Sequence, residues 1–467
     1  MADKALVEVD VAVIKDKQKP DLKQLLAGAS CALFAGNTLA IDAQEEWAFD
    51  AATLIYVEDD SRVTAIEPVV SATKAYDSET KLNIKVAGDT LTGASPNGAT
   101  PSNEAQTFTG PSGNGGYTTK ANEQPLDDTF KDTRVSAAVN WVAPINRQWS
   151  YGTGAYVSSE HDYLSLGANG SLSRYFNQKN TTLSLGLALA ADTISPVGGT
   201  PDGLTIMSAT TGEEEEDDDE NDRYANKGDD DDDDDEEEGE EGSGSESKNV
   251  VDVILGVTQV INRKTIMQFN YGISSASGYN TDPYKILSVI DDASGSNYGG
   301  NYQIDGSNVY LYEKRPDSRL KQSVYWQTKY QLDNNDILNL GYRYMFDDWG
   351  IRSHTLDLTY RFRFEKQYFE PQIRLYKQTK ADFYERYLTS SNYQDQNYAS
   401  ADYRLGDLET LTLGFRYGYE FDDNTEFYTR FSVYQQKNTG DKGFGELTSQ
   451  ELYPDTTATM LTLGYKF

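Results

Sequence analysis

The chain has 467 residues, with 41 lysines and arginines against 75 acidic residues (formal charge −34), 12% aromatic residues including 33 tyrosines, two histidines and one cysteine. One cysteine excludes an intramolecular disulfide, and so small a Cys/His inventory leaves no zinc cluster and no CxxCH haem site. A mean hydropathy of −0.65, with no apolar run of about 20 residues beyond the N-terminal segment, excludes a helical membrane bundle, and the acidic balance gives no reason to expect a nucleic-acid partner.

Residues 1–40 read as a targeting segment. "KQKPDLKQLLAGASCALFAGNTLA" carries Lys17, Lys19 and Lys23, then a mostly apolar run from Leu25 to Leu39, with Thr38-Leu39-Ala40 before a cleavage point. Cys31 stands in "GASC", which lacks the leucine of a lipoprotein box and reads as a small residue of the removed signal. The mature chain, 41–467, then leaves the cytoplasm without a cysteine.

Along it, strand patterns fall near 47–59, 63–75, 79–93, 133–144, 147–159, 162–175, 179–193, 249–262, 264–278, 318–332, 335–347, 351–364, 367–384, 407–421, 424–438 and 457–467. Globular strands average about 5–6 residues, and most of these runs are longer. They suit tilted strands crossing a bilayer, which need about 9–11. "DILNLGYRYMF" places Leu338, Leu340, Tyr342, Tyr344 and Phe346 on one face and Asn339, Gly341 and Arg343 on the other. "TLDLTYRFRF" and "ETLTLGFRYGYEF" repeat the design, with leucines in the middle and aromatics at the end. An apolar band flanked by aromatic girdles is the outer face of a membrane barrel.

Loop lengths give an independent test. Every second connection is short, near 77–78, 145–146, 176–179, 262–263, 333–334, 365–366 and 422–423. The long ones, 94–132, 194–248, 279–317, 385–406 and 439–456, all fall on the other side. Short periplasmic turns opposite long external loops is the asymmetry of outer-membrane barrels. The fold class is therefore all-β: a single transmembrane antiparallel β-barrel of about 16 strands, with 14 as the competing count, embedded among outer-membrane lipids. The last strand, "MLTLGYKF", ends on Phe467, which resembles the signal read by the barrel assembly machinery.

The stretches "DTLTGASPNGA", "SSEHDYLSLGAN", "YNTDPYK", "YEKRPDSRLKQS", "YRYMFDDWGIRSHTLDLTYRF" and "YRLGDLETLTLGFRYGY" resemble an uncharacterised family of bacterial outer-membrane barrels, catalogued as a domain of unknown function. The resemblance spans nearly the whole mature chain. Members tend to be encoded near a flavin transferase, a thioredoxin-like protein and a small lipoprotein, which implies an envelope redox or metal-handling context. It assigns no activity and carries over no site residues.

Inward projection of the strands gives Lys329, Arg343, Asp357, Arg361, Arg363, Glu370, Arg374, Arg416, Glu420, Arg430 and Lys466. Charged side chains are costly against lipid, so these belong to the lumen, where cations outnumber acids. Such a set is either a paired network stiffening the wall or a basic constriction that draws anions. Barrels of about 16–18 strands leave an aqueous channel unless loops fill it, and 94–132 and 279–317 are the candidate fillers. Two functions follow: a channel for small solutes or ions, or a scaffold whose loops or lumen hold a lipoprotein or electron-transfer partner. His161 and His354 lie near serines, but a serine-rich chain gives that by chance. No enzymatic activity is expected, and the acids of "SEHD" and "FDDWG" read as turn residues rather than metal ligands.

The connection 194–248 contains Glu213 to Glu241, whose 21 acids against Arg223 and Lys227 supply −19 of the formal −34. Such a run cannot bury apolar surface and extends by self-repulsion. It is either a solvated surface segment or a low-affinity sponge for Ca²⁺ centred on Asp229, Asp230, Asp231, Asp232, Asp233, Asp234 and Asp235; no other cofactor is expected. Excision of Glu213–Glu241 is expected to leave barrel folding intact and remove most calcium uptake measured by calorimetry. Equal uptake before and after excision would discard the sponge.

Overall fold

The computed structural model describes residues 47–59, 62–109, 116–127, 131–196, 198–207, 244–299, 308–421 and 425–467. The targeting segment with Cys31, the turn residues 422–423 and the acidic run with Asp229 to Asp235 lie outside the described residues.

The period-two segments become sixteen long strands: β1 (Trp47–Glu58), β2 (Val63–Ala75), β3 (Lys81–Gly93), β4 (Lys131–Asn146), β5 (Trp149–Ser159), β6 (Tyr163–Phe176), β7 (Thr181–Ile194), β8 (Glu246–Asn262), β9 (Thr265–Gly278), β10 (Ser318–Gln331), β11 (Ile337–Asp347), β12 (Arg352–Phe364), β13 (Gln367–Gln378), β14 (Asp407–Glu420), β15 (Glu426–Thr439) and β16 (Thr456–Lys466). Each pairs with its neighbours in chain order, and β16 returns to pair antiparallel with β1 from Asp50↔Lys466 to Glu58↔Ala458, closing the barrel. The count is sixteen, not fourteen. The strand expected over 367–384 stops at Gln378. Its continuation "KADFYERY" looks strand-like in sequence, but Ala381 and Tyr384 are drawn off the wall into a loop cluster around Trp349 and Ile351.

Alternation decides which face each side chain takes. On β7, Leu183, Leu185, Leu187 and Leu189 are 44–48% exposed, whereas Gly186, Ala188 and Ala190 between them are buried. Leu356, Leu358, Phe362 and Phe364 of β12 are likewise exposed. The greasy face thus points away from the protein along strand after strand, the reverse of a water-soluble sandwich.

With the outer face carrying the apolar residues, the best-buried apolar cluster lies in the loops. Leu287, Val289, Val309, Leu311, Leu388, Ala399 and Ala401 pack together around a small sheet in which 310–312, 286–290 and 388–389 pair side by side. All belong to connections at the long-loop end. These connections are joined directly: the Ile286 N–H donates to the Asn97 carbonyl (2.9 Å), Ser390 N–H to Ile290 (2.8 Å) and Leu204 N–H to Tyr312 (2.9 Å). The loop after β3 and the loop after β9 leave walls six strands apart in a sixteen-strand ring. Loops that meet from opposite walls must cross the mouth, so this end of the barrel carries a cap.

The seam depends on the last residue. The Phe49 N–H donates to the Phe467 carbonyl (2.7 Å), the Phe467 N–H returns to Phe49 (2.9 Å), and the two rings stack with centroids 5.3 Å apart. Deleting Phe467 removes both bonds and the stack, an expected loss of about 2–3 kcal/mol. Phe467→Ala keeps the backbone bonds and is expected to lose about 1 kcal/mol. Urea unfolding of the barrel in micelles measures both, and an unchanged midpoint in the deletion would contradict this account of the seam.

Candidate functional site

The inward faces of β10 to β13, with one residue of β15, line an open cavity of about 500 Å³. Lys329, Arg343, Asp357 and Arg361 line it, as do Glu370, Arg374 and Arg430. Tyr325, Asn339, Thr359 and Gln372 supply uncharged polar surface between them.

Most of these charges are committed to the wall. Pro371 has no N–H to give, and the β12–β13 ladder breaks between Thr359↔Gln372 and Phe362↔Phe369. Across this gap Arg361 donates through Nε to Glu370 at 2.7 Å. Arg374 faces its cross-strand partner Asp357, Nε to Oδ1 at 3.7 Å. The Arg343 guanidinium lies over the Tyr325 ring at 5.3 Å. Lys329 and Arg430 are both exposed to the lumen, and neither makes an ion pair or hydrogen bond among the described residues.

Three other inward charges stand outside the cavity. Arg363 pairs with Glu420 at 3.0 Å, near the short-turn end. Arg416 pairs with Glu426 at 3.2 Å, and its guanidinium lies 4.3 Å from the Tyr428 ring and 5.5 Å from Tyr368. Lys466 also reaches Glu426, at 2.7 Å. The two tyrosines sit where they do because Gly464 and Gly418 leave room: a Cβ on either would come within 2.2 Å of the Tyr428 or Tyr368 ring. Alternation alone does not signal these aromatic seats; the clue is the glycine at an inward position beside a strand bearing an inward tyrosine.

The cap contains a second charged group of residues, which sequence reasoning missed. Arg315, Glu313 and Asp402 are each at most 2% exposed. Arg315 Nη2 donates to Glu313 (2.9 Å) and to Asp402 (2.7 Å). Arg404 binds Asp402 through Nε and Nη2 and reaches Asp282 at 3.0 Å. Asp282 N–H donates to Glu313 at 2.6 Å, and the Ser400 hydroxyl also donates to it. Nearby, Arg386 is buried and donates to the carbonyls of Gly98 (2.7 Å), Ala99 (3.1 Å) and Leu452 (2.8 Å), tying three loops. The only local clue is charge inside an apolar run, as in "VYLYEKRPD".

Burial, then the like charges of Asp282 and Asp402, pushes the Glu313 carboxyl well above the usual carboxylate range. Burial alone would raise Asp402 too, but Arg404 and Arg315 outweigh it and hold Asp402 well below that range. Burial pulls Arg315 down to about 10. One carboxyl of the cluster thus favours its proton while its neighbour keeps its charge.

The remaining candidates separate. His354 lies on the outward face of β12, its Nδ1 2.7 Å from the Tyr342 hydroxyl. Asp347 of "FDDWG" is taken by Arg319 (2.9 Å) and by the turn N–H groups of Trp349 and Ile351. Among the described residues no group of three or more His, Cys, Asp or Glu side chains is placed to hold a metal ion.

Residues 23–467 match the family described as protein of unknown function (DUF3570). No curated protein matches the sequence. Solved structures similar in fold include CdiB from Acinetobacter baumannii, at 9% identity and a TM-score of 0.40 over 90% of this chain and 60% of that one. This chain therefore spans less than two thirds of the length of CdiB. The CymD monoaromatic hydrocarbon channel matches at 9% identity and a TM-score of 0.36, covering 91% of this chain and 88% of that one. OccK2 (OpdF) of Pseudomonas aeruginosa matches at 10% identity and a TM-score of 0.35, covering 90% and 97%.

The linkage signs of the cap cluster oppose each other. Glu313, with its folded pKa raised, contributes stability that is full below the ordinary carboxylate pKa and lost as pH rises through its folded value. Asp402, with its folded pKa lowered, contributes stability present above the ordinary value and lost as pH falls through its folded one. The cap is therefore expected to resist proteolysis better at about pH 5 than at about pH 8.5, and Glu313→Gln to flatten the difference. Arg315→Met strands buried carboxylates and is expected to cost the cap about 3–5 kcal/mol, read as loop cleavage in a barrel that still migrates as folded.

Proposed function

The chain belongs to the family described as protein of unknown function (DUF3570), and from that fold without an assigned activity we propose an outer-membrane channel that conducts small anions through a mouth gated by its loop cap. The carrying observation is the lumen cavity, lined among the described residues by five cations, Lys329, Arg343, Arg361, Arg374 and Arg430, and two carboxylates, Asp357 and Glu370. In a site walled by a low-dielectric barrel, an excess of fixed positive charge raises the local concentration of anions. The outward apolar band supports residence in a bilayer, with the long loops outside the cell and the short turns in the periplasm.

The cap favours a second reading. A mouth crossed by loops with their own buried apolar core suits a scaffold barrel holding a lipoprotein or an electron-transfer partner, the role that the resemblance noted in the sequence would imply. Electrical recording separates the two. Purified protein in a planar bilayer is expected to show discrete conductance steps, more frequent in Arg315→Met, with a reversal potential favouring anions. Lys329→Glu with Arg430→Glu is expected to move that potential toward cations, whereas reversing Arg363, already paired at the rim, is expected to move it little. Folded barrels that stay silent, Arg315→Met included, would give the scaffold reading precedence.

A further inference from the structure

Resting on the bilayer residence and orientation given above, we propose that the outward rim of β12 to β15, at the long-loop end, binds the headgroup of an outer-leaflet lipid that carries two phosphates. Charge on a lipid-facing wall is costly at the membrane midplane and cheap only near the interfaces. On β5 to β9 the exposed outward positions near the long loops are uncharged: Ser159, Leu164, Thr193, Asn249 and Ser277. The arc from β12 to β15 differs. Its outward residues at the same end include Arg352, His354, Lys377 and Lys437, all exposed. Register sets the last three at one level, since His354 stands opposite Lys377, Lys377 opposite Glu409 and Glu409 opposite Lys437.

The two ends of the arc are Arg352 on β12 and Lys437 on β15, whose side chains make no hydrogen bond or ion pair among the described residues. Neighbouring strands are about 4.8 Å apart, so three strand steps separate these cations by roughly 14 Å. The acids of the arc lie between them on β14: Glu409 pairs with Lys377 at 2.5 Å, and Asp407 accepts the Lys380 backbone N–H at 3.0 Å. A single central phosphate would face those carboxylates. A headgroup with phosphates at two separated points meets the cations at both ends and keeps clear of them. Toward the midplane the same strands present Leu356, Leu358, Ile373, Leu375, Leu413 and Val433, each 37–48% exposed. An apolar face four strands wide under a rim with cations at both ends fits several acyl chains beneath one doubly phosphorylated head, not a soluble anion. Outward cations at the short-turn end are held differently. Arg174 lies 4.7 Å from the Phe176 ring and 5.1 Å from Trp149, and Lys74 lies 5.5 Å from Tyr76, so rings of the aromatic girdle seat them.

The test is native mass spectrometry of the intact barrel released from detergent micelles at low ionic strength, where charge screening is least. Diphosphoryl lipid A is the probe, monophosphoryl lipid A the one-ended control and phosphatidylglycerol the ordinary anionic lipid. Saturable binding of diphosphoryl lipid A is expected, with each control weaker by about fivefold or more. Arg352→Gln and Lys437→Gln are each expected to weaken the probe by about fivefold and to bring it close to monophosphoryl lipid A. Arg352→Lys combined with Lys437→Arg, which keeps both charges, is expected to retain the preference, and Arg174→Gln to leave it unchanged. Phosphatidylglycerol binding as tightly as the probe, unaltered binding in the double glutamine variant, or an equal loss in Arg174→Gln would overturn the proposal. Orientation is checked separately: Gln394→Cys, in the loop after β13, is expected to react with a membrane-impermeant maleimide on intact cells. A cysteine that stays unlabelled until the envelope is opened overturns the orientation and this site with it. One that labels on a barrel without the lipid preference overturns the site alone.

Discussion

The constraint on which the rest of the molecule depends is that every strand edge must be paired. A bilayer offers no water to an unsatisfied N–H or carbonyl, so a sheet placed there has to close on itself. Closure is achieved between the two ends of the described chain, β1 against β16, with Phe467 completing the seam by two backbone bonds to Phe49. Once the sheet is closed, alternation gives each strand one face outward and one face inward. Rows such as Leu183, Leu185, Leu187 and Leu189 then cover the outside. A conventional apolar core must be built elsewhere, and it is built from the loops, around Leu287, Val289, Leu311 and Leu388.

The same logic explains what could be read from the residues and what could not. Period two, punctuated by short polar turns, is a local signal, and it located sixteen strands mostly to within a few residues. It failed at 379–384, where "KADFYERY" continues an aromatic pattern but Ala381 and Tyr384 are claimed by packing against Trp349 from another loop. Inward parity likewise marked Arg361, Arg363, Arg374, Arg416 and Arg430 as a set. What it could not reveal is which of them are neutralised, because pairing follows register: Arg361 with Glu370 across β12–β13, Arg363 with Glu420 two strands away. The cap cluster was less legible still. Glu313 and Arg315 come from one loop, Asp402 and Arg404 from another, and nothing local announces a contact across 87 residues. Only the physical rule that a buried charge needs a partner relates them, and that rule needs the burial first.

Charge inside the barrel also has a direction. The inner faces of β7, β8 and β9 are closely packed near the cap: Ala190, Val250 and Ala276 pack there under Tyr156 beside the buried Asp192, Lys248 and Asp252, and Ile254 leaves no space for a side chain at Gly186. The open volume lies instead against β10 to β13 and β15, where the inward residues are long and charged. Beside it, Arg361 over Tyr368, then Arg416 between Tyr368 and Tyr428, form alternating cationic and aromatic layers. The rings fix the orientation of guanidinium groups that carboxylates also hold, Arg361 by Glu370 and Arg416 by Glu426. The wall beside the open volume is therefore stiffened twice over, by rings that orient the guanidinium groups and by carboxylates that pair with them.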